Sequence, residues 1–106
     1  MTETTKYGIS HQTLASILNV LTNQTSVEGV ILFGSRALGN FKEGSDIDLA
    51  LIGYGLSMST IRKIELQLDE LMLPYHFDLV IYHKIKEPAL KEHIDKYGVK
   101  LFERNL

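Results

Sequence analysis

At 106 residues, 44% hydrophobic and 23% charged, the chain has the size and composition of one globular domain with a single core. It has no cysteine, which excludes disulfides and thiolate metal sites, and its formal net charge of −2, from 11 basic and 13 acidic residues, argues against nucleic-acid binding by bulk electrostatics. The apolar runs are far shorter than a membrane span and no basic-then-apolar leader opens the sequence, so the cytoplasm is the expected compartment.

Residues 1–9 are polar and read as a loose N-terminal segment of a domain spanning 1–106. Ser10 is a candidate cap for a helix whose apolar positions, Leu14, Ile17, Leu18 and Leu21, follow i, i+3, i+4, i+7 spacing. A first strand is expected over about Glu28–Gly34, then a short helical turn from Ser35 to Gly39, a polar loop and a second strand over about Asp46–Ile52. Ser57 or Ser59 starts an amphipathic helix with Ile61, Ile64, Leu68, Leu71 and Met72 inward, and Pro74 is expected to stop it. A third strand over about His76–Tyr82 completes a β-α-β crossover, parallel or mixed. Glu87-Pro88 opens a last helix facing inward through Leu90, Ile94 and Tyr97 and ending at Gly98; Val99–Glu103 is an edge strand or a docked tail. The bases of the last quarter, Lys84, Lys86, Lys91, Lys96, Lys100 and Arg104, read as solvated faces. The expected fold is a small α/β (α+β) domain, helices packed on a mixed sheet.

Chemistry concentrates between the first two strands. Gly34-Ser35 stands at a strand end, where a glycine lets backbone approach a ligand and a serine adds a hydroxyl donor. Ten residues separate Ser35 from Asp46, and Asp46 and Asp48 are then i and i+2 on one strand face, roughly 7 Å apart along the chain. Like charges that close repel by on the order of a few kcal/mol at an effective dielectric near 20. They imply a cation, and magnesium suits carboxylate oxygens. A phosphate-cradling turn beside such a pair is what phosphoryl-type transfer needs.

Gly34-Ser35-Arg36-Ala37 followed by Ser45-Asp46-Ile47-Asp48-Leu49, with Asp78 on a later strand, resembles the minimal nucleotidyltransferases of the DNA polymerase beta-type superfamily over about residues 10 to 103. The resemblance implies two magnesium ions (or manganese) held by Asp46, Asp48 and Asp78, and β/γ-phosphates of ATP held by Gly34 and Ser35. It implies transfer of a nucleoside monophosphate, AMP by default, to an acceptor hydroxyl. It also implies a partner: larger relatives carry an acceptor-gripping domain, whereas these short proteins are usually encoded beside a helical HEPN-type protein. In that pairing they act as antitoxin, by adenylylating a tyrosine or by masking, or as the catalytic mate of a substrate-binding subunit.

Plainer readings stand beside these. Asp46 and Asp48 could cap a turn or pair with Arg36 or Lys42. Asp78 lies in an apolar run, where an unpaired carboxylate is costly, so it is expected to have a partner. Arg36 either contacts phosphate or bridges to an aspartate; Ser45 orients the pair or contacts phosphate. His76 and Asp78 share a strand face, and Tyr54, Tyr75, Tyr82 and Tyr97 read as core or rim. Two other functions are open: a binding module that neutralises a helical partner with little catalysis, and transfer to a small molecule or an RNA end.

Overall fold

The computed structural model describes residues 4–104. In chain order it contains α1 (His11–Thr22), β1 (Gly29–Phe33), α2 (Ser35–Leu38), β2 (Ile47–Ile52), α3 (Met58–Asp69), β3 (Phe77–Ile81), a 3-10 turn (Tyr82–Lys84), α4 (Pro88–Tyr97) and β4 (Val99–Glu103). The sheet order is β3-β2-β1-β4. β1 pairs antiparallel with both β2 and β4, whereas β2 and β3 run parallel through the α3 crossover. This is the mixed α+β architecture expected.

The helices begin where local chemistry directs. Ser10 accepts the Thr13 N–H at 3.1 Å and Ser57 accepts the Thr60 N–H at 3.3 Å, each satisfying one orphan amide donor of a first turn. Pro88 starts α4 without losing a needed donor. Gly98 follows it because a Cβ there would run into Ile94 O and Ile31 Cγ2.

Alternation divides the sheet into two unequal faces. Val30, Leu32, Ile47, Leu49 and Leu51 face α1 and α3, whose Ile17, Leu21, Ile61, Ile64 and Leu68 are buried against them. Each such aliphatic side chain contributes about 1.5–3 kcal/mol when fully buried. The opposite face carries Ile31, Phe33, Ala50 and Val80, and α4 covers it through Ile94 and Leu90. Asp48 alternates with Leu49 and shares this second face with Ala50. One face of the sheet is therefore committed to core, and the other ends in carboxylates.

Several expectations need correction. Residues 4–9 are packed rather than loose: Thr4 bridges to Ser10 and Ile9 is wholly buried in the main core; positions 1–3 of that segment lie outside the described residues. α3 stops at Asp69, before Pro74, and Met72 adopts φ 55° and is 88% exposed, so it is no part of the buried stripe. Arg104 is not a solvated base; it donates to Val27 O and Thr22 O and ties the end of β4 to the turn after α1.

Candidate active site

The site grows from the ends of three strands. β1 and β2 pair with Phe33 opposite Asp48. β2 and β3 pair in parallel with Asp48 opposite Asp78. Adjacent strands lie about 4.8 Å apart and partners in register point the same way, so Asp78 stands beside Asp48. Asp46, just before β2, lies two residues back on the same face. Asp78 is exposed on the edge strand, so burial does not force a partner on it as the apolar run suggested. What brings it to Asp48 is register alone.

Asp48 is the centre of the group. Burial pushes its carboxyl above the ordinary 3.8, and the charges of Asp78 and Asp46 push it further; His93 and Arg36 pull it down. Among the described residues, none of the three aspartates forms an ion pair or accepts a side-chain hydrogen bond. No three carboxylates or imidazoles among those residues are already closed into a metal-ligand cluster. Like charges disfavour a closer approach of the three carboxylates to one another. Three carboxylate groups left without protein donors are a donor set that fits a hard divalent cation such as magnesium or manganese.

A pH dependence follows. The folded chain binds the Asp48 proton more tightly than the unfolded chain does. The resulting stability is fully present below pH 3.8 and is lost as pH rises through the raised folded value. Because the group is partly solvated, the effect is at most about 1 kcal/mol. Thermal unfolding in chelator, followed from pH 3.5 upward, should show wild type losing stability relative to Asp48→Asn as pH rises.

Gly34 closes the other side. It sits at φ 77°, ψ −157°, a conformation essentially reserved for glycine, and a Cβ there would collide with Asp48 Oδ2. Backbone and carboxylate therefore meet directly, and Ser35 follows at the first position of α2. Gly34→Ala is expected to cost about 1–3 kcal/mol in backbone strain and to displace Asp48, measurable as a fall in denaturation midpoint together with weakened magnesium binding.

Two residues take parts that their sequence positions did not indicate. Arg36 is 1% exposed. It donates from Nη1 to Tyr7 O (2.8 Å), from Nη2 to Ser45 O (2.9 Å) and Glu43 O (3.3 Å), and from Nε to Ser45 O (3.2 Å). The rings of Phe41 and Tyr75 lie 5.1 and 5.0 Å from its guanidinium carbon. It is buried and bridges to no aspartate: three of its hydrogen bonds go to the loop that delivers Asp46 and a fourth to Tyr7 O of the N-terminal segment. Ser45 accepts the Lys42 N–H at 2.8 Å and closes that loop. His93 of α4 is one of four histidines in the sequence, with His11, His76 and His83, none of them at metal-ligand spacing with another. Its Nε2 accepts the Gly34 N–H at 3.1 Å. The available signal was helical spacing, since His93 is three residues after Leu90 and four before Tyr97, at the border of the buried stripe.

The sequence pattern of the family described as "Polymerase beta, Nucleotidyltransferase" matches residues 15–106. The chain belongs to that family. The chain superposes on a chain of a toxin–antitoxin complex crystallised with AMP-PNP, with a TM-score of 0.71 and 22% identity over 86% of this chain and 73% of the other. A chain of the MntA–HepT toxin–antitoxin complex gives 0.63 and 20% over 84% and 68%. A Sulfolobus solfataricus protein described as a nucleotidyltransferase gives 0.52 and 20% over 85% and 76%. At these identities the likeness to the solved structures is one of fold. No curated protein matches the sequence. Among the described residues, no helix is long and apolar enough to cross a membrane.

Proposed function

We propose that this nucleotidyltransferase moves AMP from ATP to a hydroxyl on a partner protein in the cytoplasm, as the catalytic, antitoxin-like member of a pair with a helical HEPN-type protein. The observation that carries the catalytic part is the register of β2 against β3, with Asp78 beside Asp48, Asp46 on the same face and Gly34 packed against Asp48. The partner class is supported by the likeness to chains from toxin–antitoxin complexes, one of them crystallised with AMP-PNP.

In this reading Asp46, Asp48 and Asp78 hold magnesium, or manganese in its place. When bound, the metal supplies Lewis-acid charge neutralisation of phosphate and acceptor oxygens. The chain's own residues do the rest. Ser35 brings its backbone N–H and hydroxyl to the β- and γ-phosphates, and Gly34, whose own N–H is held by His93, lets the backbone come close to them. Asp78, exposed at the sheet edge, faces the acceptor and helps take its proton. Ser45 and Arg36 act through the loop, holding Asp46 and Asp48 where the phosphate turn meets them. The acceptor oxygen forms a bond to the α-phosphorus as the bond to the bridging oxygen breaks, and pyrophosphate leaves with the electron pair. Positioning of this kind is worth several kcal/mol of the barrier.

The test is label transfer from α-labelled ATP with magnesium, in the presence of a helical HEPN-type protein sought among the products of the neighbouring genes. Label on that protein with wild type and none with Asp48→Asn is the expected result. A stable complex with no label from either version would overturn the catalytic reading in favour of a masking module. Neither label nor complex would overturn the partner assignment, and label on added RNA or a small-molecule acceptor would replace it.

A further inference from the structure

Strand β1 ends in an amide that the following helix cannot use. Gly34 caps α2 from outside, so its own N–H precedes every intrahelical hydrogen bond. It donates instead to His93 Nε2 at 3.1 Å, across 59 residues of sequence. A ring nitrogen that accepts carries no hydrogen, so Nε2 is the acceptor of this bond and Nδ1 is left to face away from the turn. The half-buried ring is held edge-on to Phe33, with centroids 6.2 Å apart, and tilted against Tyr97 at 5.6 Å. Phe33 immediately precedes Gly34, so the same side chain of α4 grips both the last residue of β1 and the amide of the turn.

We propose that His93 is a positioning residue for the nucleotide's phosphates, acting by fixing the Gly34 peptide from α4. This deepens the nucleotide reading above and rests on it. A glycine at φ 77° has more rotational freedom than any other residue, and nothing else among the described residues holds its N–H. Without the imidazole the peptide is free to turn, and Ser35 turns with it, away from Asp48. His93 itself touches no reacting atom.

Three versions test this: wild type, His93→Phe and His93→Gln. Phe keeps a ring against Phe33 and Tyr97 but has no acceptor; Gln offers a side-chain oxygen to the Gly34 N–H. Calorimetric binding of AMP-PNP with magnesium is read alongside ligand-free thermal unfolding. In labelled wild type, the through-hydrogen-bond coupling between the Gly34 amide nitrogen and His93 Nε2 is read by NMR. The coupling should be present. His93→Phe should weaken AMP-PNP binding about tenfold, or about 1.4 kcal/mol, and His93→Gln should restore it to within about threefold of wild type. Wild-type affinity in His93→Phe, with or without a lower melting temperature, would reduce His93 to a tether of α4 and overturn the proposal. Equal weakening in both variants would also overturn it, since an acceptor would not be what matters. Failure of wild type itself to bind AMP-PNP would bring down the nucleotide reading and this inference with it, a result distinct from the other two.

Discussion

Asp48→Asn is expected to abolish nucleotidyl transfer while raising the melting temperature of the metal-free chain. The two effects have one cause. Asp48 is partly buried between two other carboxylates, and both burial and their charges disfavour its ionised form. The amide is nearly the same shape and carries no charge, so the repulsion disappears. With solvent screening the gain is at most about 1 kcal/mol, which in a domain of this size caps the rise at roughly 4–8 °C. The loss is larger. In the proposed mechanism the amide takes away the negative charge that would hold the metal against the phosphates, and transfer should fall at least about a thousandfold, equivalent to about 4 kcal/mol. Added magnesium should stabilise wild type and leave Asp48→Asn unchanged. A variant that is less stable than wild type in chelator, or that still transfers label, would refute the account of this carboxylate cluster.

Arg36→Met is expected to be among the most damaging substitutions in the chain, although Arg36 touches no substrate in the proposed mechanism. The side chain is buried, and four hydrogen bonds to three carbonyls join the N-terminal segment, the loop and the entry to β2. Hydrogen bonds to a charged group are worth about 1.5–3 kcal/mol each, though they do not add fully. Met preserves the packing between Phe41 and Tyr75 but strands the carbonyls of Tyr7, Glu43 and Ser45. We expect a loss of about 3–5 kcal/mol, read as a lower urea midpoint with unchanged slope. Arg36→Lys should recover little, because an ammonium cannot fork to Tyr7 O and Ser45 O together. A loss below about 1 kcal/mol in Arg36→Met would show that the carbonyls find water instead.

Arg36 also shows why a motif residue can be legible while its role is not. From the sequence, a base directly after Gly34-Ser35 looks like a phosphate ligand. Its direction is set by contacts at Tyr7, 29 residues earlier, and at Tyr75, 39 later. Asp78 is the converse. Its place in an apolar run suggested burial and an obligatory partner, yet β3 is an edge strand and the carboxylate is exposed.

What the sequence by itself determined is what short-range rules control. Period-2 alternation set Asp46 and Asp48 on one face, helical spacing marked the buried stripes of α1 and α3, and Ser10, Ser57, Pro88 and Gly98 marked boundaries, because each depends on backbone geometry within a few residues. What only the tertiary structure decided is everything that needs one segment to choose another. The parallel pairing that sets Asp78 beside Asp48 depends on how α3 packs across the sheet. The burial of Arg36 depends on residues 4–9 folding over it. The acceptor on the Gly34 amide comes from α4, near the other end of the chain. Those choices are made by the burial of shared apolar surface, a property of the whole chain that no local pattern carries.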